Sequence, residues 1–442
     1  MYATHVGRHI LDLYNQRHQS ALTPRQFFDE VFFPLFFDDE RYLMWVNNSK
    51  FDQKYKQRKK RPLNAAVRRL ALEEFHADAA TLTEPHGHLF LGGIVRELTD
   101  PTASQVTDLA VPTDADQVYC SWFGAAAGIG VRSGLSLLVD EDDVLEALIE
   151  GWTHYRAFMQ QTPGLRPHQI DTWNGHWIQH RFSRQYDPAD PIAPGHIQVE
   201  FKSGAQELAT IDWSHAIFAL ARGLSGRPVM AYVYTFGQMN TTVGFIHLEL
   251  QAVQRLWEWH RKLFGSPAGL DPSRLAGLYE TEFGFYRACE HGAIGLRALE
   301  PRKLRDYIPS RPGRSSAKLL KPARSEKERT THTFYQTWII AMLNNADLIE
   351  LAQSTAEVLK RHSVSDERGK MAGRRRVDAV LNASGVRPLI DALTDIVKED
   401  GEVAAQIDAL VKEIIRMPRS DVPLVLTLIR FKYAVESATA DA

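Results

Sequence analysis

A change of sequence character near residue 300 constrains the fold of this chain more than any other feature. Residues 301–331 contain ten Lys or Arg against three acidic residues, together with four prolines and few large apolar side chains. Proline removes a backbone donor and like charges repel, so this composition predicts a basic connector. From Thr333 to Tyr433, apolar residues recur at spacings of three and four, which predicts a set of packed amphipathic helices.

The residues before the connector mix helical and strand periodicities. The segment Asp140–Gln161 starts with four acidic residues and continues with helical spacing. The segment Arg227–Leu250 predicts two apolar strands joined near Gly237–Thr241. At 442 residues the chain is longer than one ordinary core requires. We therefore predict an α+β protein: a mixed helix/strand N-terminal body (residues 1–300), a basic connector (301–331) and a C-terminal helical bundle (332–442).

Composition excludes several classes of protein. The chain has two cysteines, Cys120 and Cys289, which excludes a disulfide framework and a cysteine-based zinc site. No apolar run approaches the ~18–20 residues that span a bilayer, and the N-terminal residues lack a signal-peptide pattern. These features predict a cytoplasmic protein that does not associate with membranes.

Three basic clusters predict nucleic acid as the partner. The formal net charge is −2, so any such role depends on local charge. Lys54–Arg69 holds eight Lys or Arg and no acidic residue, the connector is the second cluster, and the third ends at Arg376. Clusters of this kind match a phosphate backbone, although a solvated surface is the alternative for any one of them. The basic residues predicted to contact nucleic acid are Lys54, Lys56, Arg58, Lys59, Lys60, Arg61, Arg311, Arg314, Lys318, Lys321, Arg374, Arg375 and Arg376.

Two amide side chains extend this prediction. Gln238 and Asn240 lie in the sequence GQMNTT between the two predicted strands. Side-chain amides can hydrogen-bond base edges or phosphates, so both residues are predicted to contact nucleic acid if this turn faces it. Both are also ordinary turn residues. DNA is favoured over RNA as the ligand.

An alternative function is that of a metal-dependent nuclease. In GHIQVEFKSG, strand alternation places Glu200 and Lys202 on one face and Val199 and Phe201 on the other. A restriction-endonuclease-like site would use Glu200 to bind Mg²⁺ and Lys202 to orient the attacking water. It also needs an aspartate on a neighbouring strand, for which Asp187 and Asp190 are the candidates, with Asp171 far upstream. An amphipathic strand with a solvated face explains the same pattern.

Other motifs carry less information. His176 and His180 have a metal-compatible spacing of four but no glutamate between them, so we predict packing rather than a metal site. The glycine-rich segment FGAAAGIGVRSG matches neither a dinucleotide fingerprint nor a P-loop. No hydrolase or kinase motif is present. The sequence therefore predicts no metal or cofactor, and Mg²⁺ enters only with the nuclease alternative.

The order of an α+β body, a basic connector and a C-terminal helical bundle resembles the large subunit of type I CRISPR surveillance complexes. The resemblance covers the layout of the whole chain and its basic loops, and no diagnostic motif carries it. It implies that Lys54–Arg69 and the GQMN turn contact duplex, and that the connector and Arg374–Arg376 contact a single strand. It also implies a non-catalytic nucleic-acid-binding subunit of a prokaryotic antiviral complex, acting with other protein subunits in RNA-guided DNA targeting. A scaffold that binds an acidic protein is a third possibility.

Overall fold

The computed structural model describes residues 2–82, 89–91, 94–95, 105–106, 112–192, 196–224, 227–235, 242–265, 281–309, 317–321, 323–364 and 370–439. They form two compact units. The first holds the described residues up to Gln254 together with Gly284–Gly295, and the second holds residues 255–265, 281–283 and the described residues from Leu296 onward. The prediction of an α+β protein with a helical C-terminal region is confirmed. The boundaries predicted at residues 300 and 331 stay predictions.

The first unit begins with helices that enclose an aromatic core. Thr23 starts the second helix by accepting a hydrogen bond from the Gln26 amide, and Pro24 follows at the first helical position, as the sequence predicts. The Phe37 and Phe51 rings stack with centroids 4.2 Å apart. The elements are α1 (Tyr2–His18), α2 (Pro24–Phe27), a π-helical turn (Phe28–Phe32), α3 (Phe33–Phe36), α4 (Lys50–Lys56), α5 (Ala65–Thr81), β1 (Ile94–Val95), β2 (Gln105–Val106) and α6 (Ala115–Ala126).

Helices α1 and α6 pack backbone to backbone through two glycines. A Cβ atom added to Gly7 would lie 1.7 Å from the carbonyl oxygen of Cys120, and one added to Gly124 would lie 1.9 Å from that of Ala3. No side chain can occupy such a space, because the obstructing atoms belong to rigid helix backbone. Glycine at both positions therefore sets the distance between the two helices.

A five-stranded sheet forms the β layer of the first unit. Its order is β3-β4-β7-β8-β9, antiparallel except for the last pair. The strands are β3 (Ile129–Val131), β4 (Leu135–Val139), β7 (Val229–Tyr234), β8 (Thr242–Leu248) and β9 (Ala293–Ile294). Strands β7 and β8 are the two strands predicted in Arg227–Leu250. On one face of β7, Val229, Ala231 and Val233 are buried, which gives the core its apolar alternation.

Two long helices pack against each other beside this sheet. They are α7 (Asp142–Gln161) and α8 (Ile170–Arg181). The indole nitrogens of Trp173 and Trp177 donate to the backbone oxygens of Gly151 and Ala147, at 2.9 and 2.6 Å. Gly175 tolerates no side chain, because an added Cβ would lie 2.8 Å from the Gly130 oxygen. Close packing of α8 against β3 thus requires glycine at position 175.

The remaining elements of the first unit include a separate hairpin. Strands β5 (Val199–Lys202) and β6 (Ala205–Leu208) pair antiparallel in their own two-stranded sheet. Ser203 and Gly204, with φ of 50° and 80°, form the turn between them. Helices α9 (Trp213–Gly223), α10 (Leu250–Phe264) and α11 (Phe285–Cys289) complete the set. Only the part of α10 up to Gln254 belongs to the first unit.

The second unit is built mainly of helices. They are α12 (Glu326–Leu343), α13 (Asp347–Val364), α14 (Lys370–Leu381), α15 (Val386–Glu399), α16 (Ala404–Arg416) and α17 (Val422–Thr439), with 3₁₀ turns at Leu304–Asp306 and Gly401–Val403. The buried guanidinium of Arg430 on α17 donates to the backbone oxygens of Ala317 and Lys318. No helix in the described parts of the chain is long and apolar enough to cross a membrane.

Candidate nucleic-acid interface

The first basic cluster extends from the end of helix α4 through an exposed turn to the start of α5. Ser49 begins this helix by accepting a hydrogen bond from the Asp52 amide. After Lys56 the backbone turns, and the amides of Lys60 and Arg61 both donate to the Gln57 oxygen, at 2.9 and 3.0 Å. Residues 57–62 are all exposed. The local fold therefore presents the cluster to solvent on a short hydrogen-bonded loop.

The charges in this cluster divide into paired and unpaired groups. Lys54 contacts Glu74 and Lys56 contacts Asp52, both at 2.7 Å. Arg68 on α5 contacts Asp38 at 3.0 Å. Arg58, Lys59, Lys60 and Arg61 have no acidic partner among the described residues. Arg69 on α5 is exposed and also has no acidic partner among the described residues. The six predicted contact residues of this cluster thus narrow to four cations on the loop that no described acidic side chain pairs with.

Aromatic rings lie against these cations. The guanidinium of Arg58 lies 4.0 Å from the centre of the Tyr55 ring and donates to the Tyr55 backbone oxygen. The Tyr55 ring is 5.4 Å from that of Trp45, and both rings are half-buried. A guanidinium stacked on a ring keeps its planar set of donors available to a phosphate. We call Trp45, Tyr55, Arg58, Lys59, Lys60 and Arg61 the basic–aromatic surface.

His168 supports this surface from behind. Its ring lies 4.9 Å from Tyr55 and 4.5 Å from Trp45, and its amide donates to the Tyr42 oxygen. Burial, and to a lesser degree the charge of Arg58, lowers the pKa of His168 to about 3, so the ring is neutral at physiological pH. The residue has φ of 70°, a conformation that costs a non-glycine residue roughly 1 kcal/mol. The surrounding packing therefore holds the ring in place.

The β5–β6 hairpin adjoins the same segment of chain. The amide of Arg166 donates to the Gln206 oxygen at 2.8 Å, and Arg166 precedes His168 by two residues, about 7 Å of extended chain. Phe201 on β5 is 78 % exposed and Val199 is 40 % exposed. Glu200 and Lys202, on the opposite face, are exposed as well. Strand β5 is thus exposed on both faces, whereas β6 is half-buried and ends at the buried Leu208.

The candidate nuclease residues do not form an acidic cluster. The cross-strand neighbour of Glu200 is Glu207, which pairs with Arg166. Asp187 and Asp190 lie in a turn outside any strand, where the Asp190 amide donates to the Asp187 oxygen. Within the described ranges, no three His, Cys, Asp or Glu residues are grouped so that they could hold a metal ion.

The two histidines with metal-compatible spacing are packed into α8. The ring of His176 donates to the Ala209 oxygen at 2.5 Å, and that of His180 donates to the Pro191 oxygen at 3.1 Å. Burial, with a contribution from His196, lowers the pKa of His180 to about 4. These contacts are consistent with the packing role predicted for them.

The other predicted contact residues lie either in the second unit or outside the described residues. In the second unit, Lys318 pairs with Asp306 and Arg376 pairs with Glu399. Lys321, Arg374 and Arg375 are exposed and have no ion-pair partner among the residues that the structure describes. Gln238, Asn240, Arg311 and Arg314 lie outside the described residues.

Sequence reasoning missed two aromatic rings at the site. Trp45 and His168 lie far apart in the chain and belong to no motif. A sequence signal existed only for Tyr55, which lies inside the basic cluster. No family model, no curated protein and no solved structure matches this chain.

Proposed function

We propose that this protein binds nucleic acid through the basic–aromatic surface. The observation that carries the proposal is the guanidinium of Arg58 stacked 4.0 Å from Tyr55, next to three further cations without acidic partners. Phosphates are attracted to the four positive charges, and half-exposed rings offer stacking faces to bases. An acidic protein would satisfy the cations equally well, but it gives no role to the aromatic rings.

The wider assignment rests on the layout of the chain. We infer a subunit of a prokaryotic antiviral defence complex that acts in the cytoplasm with other protein subunits, in RNA-guided targeting of DNA. An α+β unit followed by a helical region, with unpaired cations in both, supports this inference. DNA is preferred to RNA as the ligand. Co-purification of the chain with guide RNA and partner subunits from its native host tests this part separately.

The direct test measures binding to labelled DNA across a range of salt concentrations by fluorescence anisotropy. Each phosphate contact contributes about −0.9 to the slope of log affinity against log salt on duplex DNA. We expect wild-type protein to bind. In a variant with Arg58, Lys59, Lys60 and Arg61 all changed to Gln, the slope should become shallower by about 3.6 units if each cation contacts one phosphate.

The control variant removes four cations that already have acidic partners in the second unit. These are Arg387, Lys398, Lys412 and Arg416, each within 4 Å of an aspartate or glutamate on its own helix. Changing all four to Gln gives the same net charge and should leave the slope nearly unchanged. If both variants lost the same amount of slope, binding would follow net charge alone. The proposal that the basic–aromatic surface binds DNA would then be wrong.

No observation on the described residues favours the nuclease alternative. Glu200 and Lys202 are the residues whose substitution tests that alternative.

A further inference from the structure

A cleft in the first unit shares no residue with the basic–aromatic surface. It has a volume of about 320 Å³, within the range of small-molecule sites. The C-terminal half of α1 forms one side, α7 forms the other, and the π-helical turn with α3 contributes Val31 and Leu35. Single π-helical turns occur frequently at functional sites. The position of this turn is therefore a second feature, independent of shape, that marks the cleft.

The base of the cleft is apolar. Leu13 and Trp152 are buried in the core, and Ile149 is half-buried beside them. The indole N–H of Trp152 is buried and has no acceptor among the described residues. A ligand with an aliphatic group therefore finds apolar contacts at the base of the cleft.

The two sides of the cleft carry opposite charges that do not neutralise each other. Arg17 lies on the α1 side, whereas Glu146 and Glu150 lie on the α7 side. Arg17 and Glu146 have no ion-pair partner among the described residues. Glu150 contacts Tyr186 and Arg181, and these hydrogen bonds outweigh the effect of burial, so its pKa is lowered and it is ionised at neutral pH. Opposite charges thus line one small cleft without an ion pair between its sides.

We propose that this cleft binds a small zwitterionic ligand of the amino-acid or dipeptide class. The ligand's ammonium group lies against Glu146 and Glu150, its carboxylate lies against Arg17, and its aliphatic side chain packs on Leu13 and Ile149. A nucleic acid would be repelled by the two glutamates, and a simple amine would leave Arg17 unpaired. An apolar molecule would leave both Arg17 and Glu146 unpaired. A zwitterion pairs both signs.

The test uses L-leucyl-L-leucine as the probe with the full chain. Isothermal titration calorimetry compares the free dipeptide with its N-acetylated form and with its C-terminal amide, each of which lacks one charge. We expect saturable binding of the free dipeptide and at least tenfold weaker binding of both blocked forms. Absence of saturable binding at millimolar dipeptide, or equal binding of all three forms, overturns the proposal.

Two variants and two controls test which cleft residue contacts the ligand's ammonium group and which contacts its carboxylate. Glu146→Gln should reduce the preference for the free ammonium, and Arg17→Gln should reduce the preference for the free carboxylate. Glu73→Gln and Arg8→Gln change exposed residues of the same unit that do not line the cleft, and both should keep the wild-type selectivity. Thermal unfolding verifies that all four variants are folded. Loss of selectivity in the controls as well would contradict the assignment.

Discussion

The Arg58–Tyr55 contact is a single pair of side chains on which the proposed function can be tested. Removing the ring while keeping the cation separates stacking from charge. We expect Tyr55→Leu to weaken DNA binding about two- to five-fold, since an exposed cation–π contact contributes about 0.5–1 kcal/mol. Tyr55→Phe keeps the ring and should bind like wild type. If both variants lose the same affinity, the hydroxyl group is responsible and the stacking argument fails.

His168 makes a prediction about pH. Its folded pKa of about 3 lies below the unfolded value near 6.5, so the folded protein holds the ring neutral. Stability from this residue is fully present above pH 6.5 and is lost as pH falls towards 3, because only the unfolded chain takes up the proton in that window. Each pH unit in the window costs at most about 1.4 kcal/mol.

The experiment compares urea unfolding of wild type and His168→Gln at pH 7.5, 6.0 and 5.0. The variant should lose less stability between pH 7.5 and 5.0 than wild type, even if it is less stable throughout. His18→Gln, which changes an exposed histidine, should show the wild-type dependence. Identical dependence in wild type and His168→Gln would mean that this ring is accessible to protons in the folded state.

The candidate site shows what sequence reasoning can and cannot find at this scale. Arg58, Lys59, Lys60 and Arg61 were predicted because a run of like charge is local in sequence. The sequence does not show which cations of this cluster have acidic partners. Glu74 is 20 positions from Lys54, and Asp38 is 30 positions from Arg68. The pairing of charges depends on the tertiary fold, and so does the contact of the His168 ring with Tyr55.

Among the elements, the contact of α1 with α6 yields the clearest stability prediction. Gly7→Ala would place a Cβ atom 1.7 Å from the Cys120 oxygen, so the helices must separate. Overpacking of this kind costs typically 1–3 kcal/mol and sometimes more. We expect Gly7→Ala to lower the thermal midpoint of the first unit by several degrees.

Gly164→Ala is the matched control for this substitution. It lies in the same unit, where an added Cβ would meet only the end of the Gln206 side chain at 3.5 Å. Its thermal midpoint should remain close to that of wild type. A Gly7→Ala protein as stable as Gly164→Ala would mean that the helices part at little cost.

Element type was easier to predict than element burial. Strands β7 and β8 and helix α7 follow from their periodicity, because one face of each is apolar. The same alternation in β5 correctly separates Val199 and Phe201 from Glu200 and Lys202, yet all four are exposed. Alternation of side chains along a strand shows which residues share a face. Whether that face is buried depends on the neighbouring elements.

For the molecule as a whole, the question is whether binding is accompanied by catalysis. We expect no cleavage of supercoiled or linear DNA by wild type with Mg²⁺ or Mn²⁺. Among the described residues Glu200 belongs to no group of three potential metal ligands, and its cross-strand neighbour Glu207 pairs with Arg166. Glu200→Ala should bind DNA with nearly wild-type affinity. Metal-dependent nicking by wild type that both Glu200→Ala and Lys202→Ala lose would establish the nuclease alternative, with Asp187 and Asp190 as the next residues to change.

The two tryptophan hydrogen bonds between α7 and α8 have a consequence for how accurately the site is positioned. Trp173 and Trp177 are one helical turn apart, and so are their acceptors on Ala147 and Gly151. A slip of one residue, about 1.5 Å along the axis, would break both bonds at once. Helix α8 begins two residues after His168, so this double anchor also fixes the ring that supports Tyr55. The two indole hydrogen bonds thus help to fix the position of the basic–aromatic surface, although neither tryptophan belongs to it.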